Sequence, residues 1–102
     1  MTVSKAFKTC LLLIEKMVKH NFVNQIGHAD LEKLISKYVG ADERTIEKYV
    51  SVCVQFEFLK PHIFQKKGEV SVYIINLIKA DHEMNEVFGR SLRQLQLFEP
   101  KS

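Results

Sequence analysis

Three side chains in one stretch have the types and spacing for recognition chemistry: Arg44, Thr45 and Lys48. On a helix, Arg44 and Lys48 stand one turn apart on the same face. A guanidinium is a planar fork that can hold two acceptors at once, an ammonium is a point charge, and a hydroxyl both donates and accepts. That set suits non-covalent capture of anions and acceptor pairs, not bond making. Ser51 and Gln55 continue the same face, and Lys33, Lys37, Lys66 and Lys67 add cations on either side of it. Groups that make or break bonds are scattered. His20, His28, His62 and His82 include no pair at metal-binding spacing. Asp81, His82 and Glu83 are consecutive, so on a helix they diverge. Cys10 and Cys53 form no Cys-x-x-Cys and have no zinc-spaced histidines beside them. The four glycines are dispersed and build no phosphate loop. The chain is expected to carry no catalytic residues, no metal and no cofactor, and not to be an enzyme.

The elements that must position these residues follow from apolar spacing. A first helix is predicted from about Ser4, its N-cap, to His20. Ala6, Cys10, Leu13 and Met17 make one apolar row and Phe7, Leu11, Ile14 and Val18 the next, so this helix should sit centrally in the core. Lys5, Lys8, Glu15, Lys16 and Lys19 fall on its polar face. Asn21 to Gly27 reads as a connector with a short extended piece around Phe22 to Ile26. A second helix covers about Ala29 to Tyr38, with Leu31, Leu34, Ile35 and Tyr38 inward. Gly40 ends it, as a residue tolerant of positive φ. A third helix starts after Asp42 as N-cap, with Ile46, Tyr49 or Val50, Cys53 and Phe56 inward. Its valines weaken helix propensity, and a strand over Tyr49 to Phe58 is the competing reading, but the apolar stripe runs unbroken from Ile46 to Phe56. A hairpin follows, Leu59–Gln65 and Val70–Leu77, turning at Gly68, with Pro61 favouring an edge strand. The last helix is predicted from Ala80 or Asp81 to Leu95.

The 102 residues suit one domain with a modest core, and a 46% hydrophobic content argues for a globule over a disordered chain. A net charge of +3 permits a nucleic-acid partner without requiring one. The longest apolar run, Cys10 to Ile14, is far short of the roughly 20 residues of a membrane span. Charged residues interrupt the N-terminal apolar stretch and no small-residue cleavage site follows it. A cytoplasmic location without membrane contact is expected. Both cysteines fall on apolar helix faces, which predicts buried free thiols, with a disulfide between helices as the alternative.

The order helix, helix, glycine turn, helix, hairpin, helix, with Gly40 to Val50 reading GADERTIEKYV and Phe58-Leu59-Lys60 after it, resembles winged-helix (winged helix-turn-helix) DNA-binding transcription regulators, the small archaeal and archaeal-virus types most of all. The resemblance runs from roughly Ala6 to Leu77. It implies an α+β, mainly helical fold. It implies a single domain over 1–102, made of a winged-helix core over 4–77 with a two-stranded wing and an added C-terminal helix over 80–96. It implies sequence-specific binding of double-stranded DNA, with the third helix in the major groove. Arg44 would then contact guanine, Thr45 a phosphate or thymine methyl, Lys48 a phosphate or base, and Ser51 and Gln55 the backbone. Lys66 and Lys67 at the wing tip would follow a phosphate strand or enter the minor groove, and Lys33 and Lys37 would touch backbone. Such regulators are often two-fold dimers, and the stripe Met84, Val87 or Phe88, Leu92 and Leu95 could serve a homodimer or pack on the chain's own first helix. In two respects the chain departs from the pattern. Family members often carry glycine where this chain has Glu57, so the third helix is expected to end by another route. From Asp42 to Gly68, five basic side chains are nearly balanced by four acidic ones. That balance motivates the alternative of a winged-helix protein-protein interaction module. Arg44 and Lys48 also fit a plain solvated face paired with Glu43 or Glu47.

Overall fold

A computed structural model describes residues 3–65 and 68–92. The chain runs α1 (Lys5–Lys19), β1 (Gln25–Gly27), α2 (His28–Tyr38), α3 (Glu43–Gln55), β2 (Leu59–Phe64), β3 (Val70–Ile75) and α4 (Leu77–Phe88). Three helices, a hairpin and a C-terminal helix are thus present in an α+β arrangement compatible with winged-helix topology. The expected extended piece after α1 is a true strand. β1 pairs antiparallel with β3, so the sheet has three strands in the order β1-β3-β2 and not two. Its register sets Gln25 opposite Ile74 and Gly27 opposite Val72. β2 is the other edge, where Pro61 costs no ladder bond, and the pairing shifts register on either side of Ile63.

α1 forms because Ser4 caps it, accepting a hydrogen bond from the Phe7 amide, and because both apolar rows face one way. It touches α2, α3 and α4 and is the core's axis. Cys10, Leu11, Leu13, Ile14, Met17 and Val18 are all buried along it. Glu15 departs from the expected polar face. It is only 8% exposed, and its carboxylate accepts a hydrogen bond at 3.1 Å from the Arg90 guanidinium beyond α4. Burying that carboxylate is tolerable only because Arg90 pairs it.

α1 and α3 end the same way. After α1, Asn21 takes a left-handed φ of 71°, the Phe22 amide donates to the Met17 carbonyl and the Asn21 amide to Val18. After α3, Glu57 takes a φ of 66°, the Phe58 amide donates to Cys53 at 3.0 Å and the Glu57 amide to Val54 at 2.9 Å. This is the paired-bond helix stop usually given to glycine. The expectation that α3 would end by another route is therefore corrected. The glycine-type stop is kept, with glutamate in the strained position, because the stop delivers Phe58 into the core. Phe58 is fully buried, worth roughly 1.5–3 kcal/mol. Phe7 lies edge-on to Phe56 at 4.9 Å and tilted against Phe58 at 5.3 Å. Phe58 also accepts, through its carbonyl, the Asn76 amide at 2.8 Å.

α4 starts earlier and stops earlier than the spacing suggested. Asn76 caps it, its side chain accepting from the Lys79 amide, so Leu77 and Ile78 are helical. Gly89 then takes φ 67° and the helix stops at Phe88. Asp81 holds the chain that follows. Its Oδ1 accepts from the Ser91 hydroxyl and from the Leu92 amide, which returns Leu92 to the core. Met84 and Leu92 are buried inside this chain's own core and Phe88 packs partly against it, while Leu95 lies outside the described residues.

Cys10 and Cys53 are free, buried thiols facing each other from α1 and α3. The Cys10 thiol hydrogen-bonded to it, and then burial, push the Cys53 thiol well above the ordinary range. No helix among the described residues is long and apolar enough to cross a membrane.

Candidate nucleic-acid interface

The site begins at the turn between α2 and α3. Gly40 does not use a positive φ, contrary to expectation; α2 ends at Tyr38 with Val39 as its cap at φ −120°, and the Gly40 amide still donates to Ile35 at 3.0 Å. Its small size matters in another way. A Cβ on Gly40 would meet the Thr45 methyl at 3.3 Å. The turn closes on Thr45, which is accordingly half-buried and anchored from behind.

Asp42 caps α3 as expected, its Oδ2 accepting from the Arg44 amide at 3.1 Å and the Thr45 amide at 3.4 Å. Tyr49 and Cys53 are buried, and Ile46, Val50 and Phe56 pack against the core, which fixes the helix's rotation. Arg44, Lys48, Ser51 and Gln55 are therefore all exposed along one outward row. Among the described residues neither Arg44 nor Lys48 is ion-paired with Glu43 or Glu47. The Lys48 ammonium lies 5.4 Å from the Tyr49 ring centroid. Lys33 and Lys37, one turn apart on α2, are exposed. The hairpin leaves the end of α3 with only the Glu57 stop between them. Gln65 donates to the Glu69 carbonyl near its tip, and Gly68 turns the chain at φ 78°. Lys66 and Lys67, the expected wing-tip contacts, lie outside the described residues.

Several surface features escaped the sequence reading. Tyr38, expected inward, is 39% exposed. It is the last residue of α2, and its hydroxyl meets His20 Nε2 at 3.2 Å while the Lys16 ammonium lies 4.8 Å from its ring centroid. On β2, Ile63 and Phe64 stand 48% and 57% exposed, because the register shift there breaks the alternation that would turn one of them inward. Ile78, on the first turn of α4, is 78% exposed. Between α2 and β3, His28 bridges the Tyr73 hydroxyl (Nδ1, 3.2 Å) and Glu32 (Nε2, 3.0 Å). Burial first, and then the Glu32 charge, raise the Tyr73 hydroxyl above its usual pKa of 10.0. The spacing of His28 and Glu32 was readable; Tyr73, in a distant strand, was not.

Among the described residues no three His, Cys, Asp or Glu side chains lie together as metal ligands. The chain matches no protein-family model, no curated protein and no solved structure.

Proposed function

We propose that this domain is a winged-helix reader of double-stranded DNA, acting as a sequence-specific transcription regulator. One observation carries the reading. Arg44, Lys48, Ser51 and Gln55 form a single outward row on a helix whose other side is locked into the core, with the hairpin directly after it. A helix fits the major groove, and the Arg44 guanidinium near its N-terminus, which has no ion pair among the described residues, can bond the two acceptors of a guanine edge. Lys33 and Lys37 on α2, and Lys66 and Lys67 between the hairpin strands, would hold phosphates. Thr45 acts from its anchored position at the helix start, within reach of a phosphate. In a two-fold dimer reading two half-sites, the partner would meet what α4 leaves outside, such as Ile78, since Met84 and Leu92 are spent on the chain's own core.

Selection of bound duplexes from a random pool, followed by affinity measurement, tests this. Arg44→Ala should relax preference at one base pair by about 1–3 kcal/mol. Replacing Lys66 and Lys67 with alanine should weaken binding to all sequences and flatten its salt dependence. Selected DNA bound equally well by both variants sinks the proposal.

A second reading has its own support. The exposed Ile63 and Phe64 on β2 and Ile78 on α4 are large apolar side chains of the kind that protein partners cover. A protein-interaction module would bind no duplex even at low salt and would lose its partner on Phe64→Ser.

A further inference from the structure

A second concavity lies on the far side of α3, between it, α1 and the end of α2. One wall is a row on α1, namely Lys5, Thr9, Leu12 and Lys16, and the other is formed by Tyr38, Val39 and Tyr49. It encloses about 500 Å³, within the roughly 300–1,000 Å³ of small-molecule sites. The floor is apolar, with Leu13 buried beneath and Leu12 and Val39 on the sides. The rim is cationic. Lys16 lines it, its ammonium 4.8 Å from the centroid of the Tyr38 ring; Lys37 and Lys48 stand outside the lining, each with its ammonium 5.4 Å from the centroid of a lining ring, Tyr38 and Tyr49 respectively. Lys5 closes the N-terminal end. Glu15 is the one carboxylate in the lining, and its charge is taken by Arg90 at 3.1 Å. The larger hollow, between β2, β3 and the start of α4, has no such bias; Glu57 and Lys60 both line it.

We infer that this cleft binds a small, ring-bearing organic anion. The apolar floor removes the ring from water, and the anionic group stays at the rim beside the Lys5 and Lys16 ammonium groups, which have no carboxylate partner among the described residues. Tyr38 and Thr9 add hydroxyls that can hold the anion's oxygens. Lysines resting on tyrosine rings exchange a weak contact for a charge-assisted bond to the ligand. The site stands without the DNA reading, because its lining includes none of the residues assigned to DNA; only the neighbouring Lys37 and Lys48 belong to that set.

The test is titration of the full chain, without DNA, by three probes: 1-naphthyl phosphate, which has ring and charge, 1-naphthol, which has the ring alone, and inorganic phosphate, which has the charge alone. Amide chemical shifts report where each binds. The expected result is saturable binding of naphthyl phosphate with shifts centred on Thr9, Leu12, Lys16, Val39 and Tyr49, and about tenfold or weaker binding of the other two probes. Leu12→Glu sets a carboxylate in the mouth at a half-exposed position, and Lys16→Gln removes a rim charge. Each should weaken naphthyl phosphate by about fivefold to tenfold while leaving the amide spectrum dispersed. Shifts centred on the hollow near Ile74 and Ile78, naphthol binding as well as the phosphate ester, or unchanged affinity in the folded Lys16→Gln chain would each overturn the inference.

Discussion

Replacing Glu57 with glycine should make this protein more stable, although it deletes an ion pair. Glu57 holds φ 66°, a region that costs a residue with a Cβ roughly 1–2 kcal/mol. Glycine removes that cost and adds about 0.5–1 kcal/mol of backbone entropy to be lost on folding. The lost ion pair, Glu57 to Lys79 at 3.6 Å, is mostly solvated on the glutamate side, so it subtracts a few tenths of a kcal/mol. At the middle of these ranges the balance is a gain of about 0.5 kcal/mol, or about 2–4 °C in Tm for a domain of this size. The hydrogen bonds from Phe58 to Cys53 and from Glu57 to Val54 use backbone alone and survive the change. Urea and thermal unfolding of the wild type, Glu57→Gly and Glu57→Ala measure it. Alanine loses the ion pair and keeps the left-handed strain, so it should fall at or slightly below wild type. Glycine no more stable than alanine would refute the reasoning, because it would mean that the φ carries no strain worth relieving.

Two further outcomes follow from the core and the turn. Cys53 and Tyr73 both have raised folded pKa values, so the stability they preserve is fully present below the unfolded values, about 8.5 for a thiol and 10 for a phenol. It is lost as pH rises past them; urea midpoints measured from pH 7 to 10.5 should fall, and Cys53→Ala should flatten the first part of the decline. Gly40→Ala should cost about 1 kcal/mol or more by pressing a Cβ to 3.3 Å from the Thr45 methyl, and Thr45→Ser, which removes that methyl, should recover most of the loss in the double variant by chemical unfolding.

Most of the helical architecture was readable because helices write their packing locally. The two rows of α1, the Asp42 cap and the outward row Arg44, Lys48, Ser51 and Gln55 all come from spacing within one turn or two. What escaped was written by distant partners. Three residues, Gln25 to Gly27, are too few to show a period, and they are a strand only because β3 lies beside them. Glu15 looked like a surface charge because its partner, Arg90, is far along the chain. The β-branched run up to Ile75 disguised the start of α4, since the Asn76 cap acts on Lys79 within a stretch that still reads as strand. Tyr38 was assigned inward by its period, yet helix ends lie where the core surface curves away. For the candidate interface, the row on α3 was visible, whereas the cleft behind it required α1, α2 and α3 to be brought together.

The small strand β1 has a topological consequence. It leads directly into α2 without a linker, and it is bonded to β3, so the stretch from Gln25 to Ile74 is a loop whose two ends are stitched together. α2, α3 and the first hairpin strand all hang within that loop. Closing it carries an entropy cost that grows with the logarithm of its length, and the closure is rewarded only when β3 has arrived. Pairing of β1 with β3 is therefore the long-range step of the sheet, whereas β2 and β3 pair as a local hairpin. Once closed, the loop makes the hairpin and α2 mechanically one piece. A tug on β3 reaches the start of α2 through three residue pairs and again through the His28–Tyr73 bond, so the hairpin cannot swing without turning the helix that precedes α3.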